Sequence, residues 1–92
     1  MKKIAVVILN WNGADMLMRF LPSVVEYSEA EADVFVADNG STDNSCEVVK
    51  QNFPSVRLIC LTQNFGFAEG YNRAIEQVDA EYVLLLNSDV EV

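Results

Sequence analysis

Histidine is absent from this 92-residue chain. That removes Ser-His-Asp and Cys-His nucleophilic sites at once. Cysteine is almost as scarce. Cys46 and Cys60 are the only two, and their spacing of 14 fits no zinc motif. Cys60 reads as a strand core residue and Cys46 as a small helix residue, with a disulfide as the alternative. Basic side chains number six against fourteen acidic ones, for a formal net charge of −8. Lys2-Lys3 is the one adjacent basic pair, so no basic stripe is available to follow a nucleic-acid backbone. Neither a Gly-x-Gly-x-x-Gly turn nor a P-loop is present, which disfavours ordinary dinucleotide binding and P-loop phosphate transfer. No run approaches the ~20 apolar residues of a membrane span. The apolar run after Met1-Lys2-Lys3 ends at Asn10-Trp11-Asn12-Gly13 without a cleavage signature. These absences predict a cytoplasmic chain whose chemistry runs on carboxylates, amides and a bound metal.

What remains is the composition of a folded domain. Hydrophobic residues make up 51% and charged residues 22%, which argues against disorder, and the length allows one small domain. Ile4 to Leu9 is an unbroken β-rich apolar run, as in a central parallel strand. Asn12 can cap a helix starting near Ala14, where Leu17, Phe20, Leu21, Val24 and Val25 recur at helical spacing. Pro22 should kink that helix or split it. Asp33 to Ala37 reads as a second strand. Ser41 is a candidate N-cap of a second helix, with Asp43 suited to its first turn, and Pro54 stops that helix. Val56 to Leu61 is a third strand, Ala68 to Val78 a third helix, and Tyr82 to Leu86 a fourth strand.

Strands alternating with helices predict a Rossmann-like α/β sandwich of three layers. Its sheet of four mostly parallel strands should have order 3-2-1-4. Ligands of such sheets bind beyond the carboxyl ends of the strands. Polar clusters occur at all four of those ends: Asn10-Trp11-Asn12-Gly13, Asp38-Asn39-Gly40-Ser41, Thr62-Gln63-Asn64 with Gly66, and Asn87-Ser88-Asp89. Each alone is ordinary turn chemistry. Four on one edge point to a ligand site. Asp89, just past a buried strand, is a candidate ligand for a divalent cation.

Together the segments Val7–Gly13, Val36–Asp43, Asn64–Ile75 and Leu84–Val90 resemble the family 2 glycosyltransferases of GT-A fold, closest to the bacterial rhamnosyltransferase-like branch. The resemblance covers essentially the whole chain and implies a nucleotide-diphosphate sugar lying across the strand ends. It implies that Asn10, Trp11 and Asn12 pack on the nucleoside. It gives Asp38 and Asn39 the base or ribose, and Asn64 and Gly66 the pyrimidine. The family's Asp-x-Asp metal motif falls on Asn87-Ser88-Asp89. Asp89 is then the main ligand of Mg²⁺ or Mn²⁺, Asn87 a sugar or outer contact, and the diphosphate holds most of the cation.

Family members continue into an acceptor-binding half that carries the catalytic base. On that reading, residues 1–92 are the donor half of a truncated GT-A fold, inactive alone, from an inverting enzyme of cell-surface polysaccharide synthesis. A stand-alone nucleotide-binding or interaction module is the alternative. An open fourth-strand edge and uncovered apolar surface also predict a homodimer.

Overall fold

The computed structural model describes residues 4–28 and 31–87. Four strands and three helices alternate: β1 (Ile4–Asn10), α1 (Ala14–Ser28), β2 (Ala32–Asp38), α2 (Ser45–Asn52), β3 (Arg57–Cys60), α3 (Phe67–Ile75) and β4 (Tyr82–Asn87). The strands form one sheet in the order β3-β2-β1-β4. All three pairings are parallel. The expected order therefore holds, and the sheet is wholly rather than mostly parallel.

Both faces of the sheet are covered, which is why β1 and β2 are apolar without alternation. On one face Val6, Ile8, Val34 and Val36 pack under Leu17, Leu21 and Val24 of α1 and Val49 of α2. On the other, Ala5, Val7, Leu9, Phe35, Ala37 and Ile59 pack under Tyr71 and Ala74 of α3. The result is three layers. The Tyr71 hydroxyl donates to the Leu86 carbonyl and ties α3 to β4.

Two local expectations are corrected and one is narrowed. Of the two outcomes expected at Pro22, splitting does not occur: the residue lies inside a continuous α1, with its ring on the exposed side of the helix. Ser41 is not the cap of α2, whose N-cap position is Asn44. Cys60 is exposed rather than core, because it ends the outermost strand of the sheet.

The fourth strand is the other edge among the described residues. Tyr82, Leu84 and Leu85 are large apolar side chains exposed along it. Leu84 and Leu85 point to opposite faces, so the described residues leave both faces of β4 partly open there. No helix among the described residues is long and apolar enough to cross a membrane.

Leu17 shows how much the sheet-helix packing contributes. It is fully buried between α1 and the sheet. Leu17→Ala is expected to cost about 2–5 kcal/mol, a large share of the about 5–15 kcal/mol that holds a folded domain. The melting midpoint should fall by about 10 °C or more, read by circular dichroism.

Candidate functional site

The parallel register lines up the strand ends. Asn10 pairs with Asp38, Asp38 with Cys60, and Leu9 with Asn87. The described residues of the polar clusters therefore share one edge, and their contacts fall into two groups.

The first is organised by Asp38, only 3% exposed. A buried carboxylate needs hydrogen-bond donors, and three reach it. Asn10 Nδ2 donates to Oδ1 at 3.0 Å, the Ser41 hydroxyl to Oδ1 at 2.6 Å, and the Ser41 amide to Oδ2 at 2.9 Å. Asn10 is fully buried, and its Oδ1 has no partner among the described residues. Turning the amide over would set that oxygen against the Asp38 carboxylate, so the orientation with nitrogen toward Asp38 is the favoured one.

The Ser41 hydroxyl also accepts from the Asn12 amide at 2.8 Å. Asn12 has φ of 50°, a left-handed conformation that asparagine tolerates better than most residues. Its side-chain oxygen accepts from the amides of Thr42 at 2.7 Å and Asp43 at 3.2 Å. Asn12 thus clasps the β2–α2 loop instead of capping α1. Asp43 takes the capping role for both helices. Its carboxylate accepts from the Ala14 amide at 3.2 Å and from the Ser45 amide at 3.0 Å, and from the Ser45 hydroxyl. Asp43 is exposed; the slight desolvation it suffers acts to raise the carboxyl pKa, but the bonds from Ser45 and Ala14 outweigh it and hold the group below its ordinary value.

The second cluster turns on Asn39, also 3% exposed. Its Nδ2 donates to Asn64 Oδ1 at 3.2 Å and to the Gly66 carbonyl at 3.1 Å, and its Oδ1 accepts from the Phe65 amide at 3.0 Å. Asn64 Oδ1 in turn accepts from the Gly66 amide at 2.7 Å. Gly70 allows α3 to close on this cluster, since a Cβ there would lie 2.9 Å from Asn39 Nδ2. Gly40 is more tightly bound to its identity. Its φ is +76°, and a Cβ would lie 2.4 Å from the Gln63 carbonyl carbon. The two loops touch there, backbone to backbone. Arg73 stacks over Phe65 at 3.9 Å and bonds Glu69 at 2.9 Å, so it braces the loop from α3.

The sequence-read residues thus divide by position. Asn10, Asp38 and Asn39 are buried supports, while Trp11, Asn12, Asn64 and Gly66 are exposed around them. Asn87 ends β4. Ser88 and Asp89 lie outside the described residues. Among the described residues, no group of three His, Cys, Asp or Glu side chains could hold a metal ion. A depression of about 410 Å³ lies to one side, lined by Asn12, Gly13, Ala14, Asp15, Met16, Asp43 and Asn44. The sequence offers Ser41 as a helix cap and as part of a strand-end cluster, and Asp43 as a first-turn residue, but not their bonds to Asp38 and to the two helix starts. The Asp-x-x-Ser spacing of Asp38 and Ser41 is the signal that could have marked Ser41 as a partner of the carboxylate.

A family model described as Glycosyl transferase family 2 matches residues 5–92. The chain belongs to that family. It is 34% identical over 97 residues to N-acetylglucosaminyl-diphospho-decaprenol L-rhamnosyltransferase of Mycobacterium tuberculosis, covering 94% of this chain and 32% of that protein. It is 32% identical to the uncharacterized glycosyltransferase YibD of Escherichia coli, covering 98% of this chain and 27% of that protein. The chain therefore spans about a third of the length of these curated relatives. Among solved structures, S. aureus TarS 1–349 in complex with UDP-GlcNAc superposes with TM-score 0.81 and 26% identity, over 97% of this chain and 27% of that one. The mannosyltransferase PcManGT from Pyrobaculum calidifontis, in complex with GDP-Man and Mn²⁺, gives TM-score 0.84 at 24% identity, over 97% and 28%. The fold of this glycosyltransferase-family chain is that of part of the GT-A domain in these enzymes.

Asp43 gives a test of the paired caps. Asp43→Ala removes the acceptor for both helix starts and should cost about 1–3 kcal/mol at neutral pH, from ~1 kcal/mol per cap. Because the folded carboxyl sits below its ordinary value, its stabilisation is present above pH ~4 and is lost as pH falls through the lower folded value. The gap in melting temperature between parent and Asp43→Asn should therefore close on acidification. A gap that widens below pH ~4 would contradict the capping role.

Proposed function

We propose that residues 1–92 form the donor-binding half of a GT-A glycosyltransferase domain that takes a nucleotide-diphosphate sugar with Mg²⁺ or Mn²⁺. The reaction served is inverting transfer of the sugar to a hydroxyl of a glycan or other acceptor, in cell-surface polysaccharide synthesis, inside the cell. One observation carries the reading. Asp38 and Asn39 are held side by side at the strand ends by dedicated hydrogen bonds, with Trp11, Asn12, Asn64 and Gly66 exposed around them. The relatives support it, since TarS and PcManGT have been captured with UDP-GlcNAc and with GDP-Man and Mn²⁺.

In this reading Trp11 stacks on the nucleoside and Asn12 flanks it. Asn10 sets the orientation of Asp38, which, with Asn39, meets the base or ribose. Asn64 and Gly66 border a pyrimidine. Asn87 is a sugar or outer contact, Ser88 belongs to the nucleotide site, and Asp89 is the protein's ligand for the cation. The chemistry such a cation supplies is charge neutralisation at the diphosphate. The domain would bind donor without transferring sugar by itself.

Trp11 offers the cleanest test, because it is 53% exposed and not part of the core. Loss of a base–aromatic stack costs ~1–3 kcal/mol. Trp11→Ala should therefore weaken UDP binding by about 5-fold to 150-fold in calorimetry with Mn²⁺, at an unchanged melting temperature. A chelator should weaken binding to the parent chain as well. Equal affinity in Trp11→Ala sinks the stacking role, and equal affinity with chelator sinks the cation's.

Contact between copies is a further part of the proposal, supported by exposed Leu84 and Leu85 on the edge strand β4. The net charge of −8 opposes association, so salt should strengthen it by screening. Sedimentation velocity at high micromolar concentration should show a monomer–dimer equilibrium shifting toward dimer with salt. A single monomeric species at every salt concentration rules it out.

A further inference from the structure

Cys46 and Cys60 meet although they come from different elements. Their sulfurs lie 3.5 Å apart, and both are free thiols. Cys46 projects from the first turn of α2, and Cys60 ends β3 in register with Asp38. A disulfide bond is ~2.05 Å long, so the sulfurs need to approach by only about 1.5 Å. The two thiols differ in access. Cys60 is exposed at the sheet's outer edge, whereas Cys46 is half-buried behind it. Burial, the hydrogen bond with Cys60 and the nearby Asp38 charge push the Cys46 thiol up to about 12. Cys46 is thus a poor first nucleophile, and oxidants reach Cys60 first.

We propose that Cys46 and Cys60 form a redox-modification site at which a peroxide closes a reversible disulfide tying α2 to β3 beside Asp38. The Cys60 thiolate attacks a peroxide oxygen and the O–O bond breaks. Hydrogen peroxide is reduced to water, and Cys60 becomes a sulfenic acid. The Cys46 sulfur then attacks Cys60 sulfur. The S–O bond breaks, and the hydroxyl leaves with the Cys46 proton as a second water. Each disulfide consumes one peroxide and releases two waters. The site does not depend on the proposed nucleotide reading.

The test treats the intact chain with a slight excess of hydrogen peroxide and follows it by intact mass, peptide mapping and alkylation. The expected product is a monomer lighter by two hydrogens, with the Cys46 and Cys60 peptides linked, both thiols closed to alkylation, and full reversal by dithiothreitol. Cys60→Ser changes an exposed position and should show no mass loss. The proposal is overturned if both thiols stay alkylatable. It is equally overturned if Cys60 proceeds to sulfinic acid, or bridges two chains, while Cys46 stays free. Peptide mapping of the parent decides the matter even if a Cys46→Ser variant fails to fold.

Discussion

The Asp38 carboxylate is the constraint on which the strand-end edge depends. It sits at the end of an interior strand, almost wholly out of water. A charge in that position is costly unless donors surround it. Two donors come from Ser41, three residues along its own chain, and one from Asn10 on the neighbouring strand. That requirement explains why a fully buried asparagine ends an otherwise apolar strand. It also fixes the path of the β2–α2 loop, because Ser41 must fold back to reach both carboxylate oxygens. Once Ser41 is placed, its hydroxyl can take the Asn12 amide, and the β1–α1 loop is fixed as well.

Asn39 repeats the arrangement one residue later and toward the other side. Asp38 binds Asn10 at the end of β1 and Ser41 in the β2–α2 loop, and through Ser41 the β1–α1 loop, while Asn39 binds the β3–α3 loop. Two adjacent residues thus hold three loops. The glycines make the close approach possible: Gly40 against the backbone of Gln63 and Asn64, and Gly70 beneath the Asn39 side chain. Loops tied in this way lose little further freedom when a ligand arrives, which favours affinity through preorganisation.

The sheet was legible in the sequence because it follows from local periodicity. Ile4–Leu9 and Asp33–Ala37 are continuous apolar runs, and a helix pattern separates them, so a parallel buried pair is the natural outcome. Strand order and the shared edge of the polar clusters followed from topology rules. The errors fell where the deciding partner is distant in sequence. Asn12 has the chemistry of a cap for the helix beside it, but its oxygen is claimed by Thr42 and Asp43, thirty residues away, and Asp43 caps α1 instead. Cys60 sits in an apolar strand pattern, but it is the last residue of the edge strand β3 and stays open to solvent. Pro22 breaks helices in isolation, whereas Leu17, Leu21 and Val24 bind this one to the sheet on both sides of it.

The placement of Asp43 bears on how an acidic chain could take a diphosphate. Helix N-termini are the usual local source of positive potential for phosphate groups. Here the starts of α1 and α2 lie together, and the Ala14 and Ser45 amides both donate to Asp43. A phosphate approaching that end would compete with a carboxylate whose pKa is already lowered by the Ser45 hydroxyl and those same amides, and Asp15 adds a further negative group in the first turn of α1. Part of the helix-start potential is therefore spent inside the protein. On the proposed reading, charge compensation for the diphosphate has to come largely from elsewhere. With a net charge of −8 and no basic cluster among the strand-end residues, a divalent cation shared with the diphosphate supplies it more readily than the side chains of this edge.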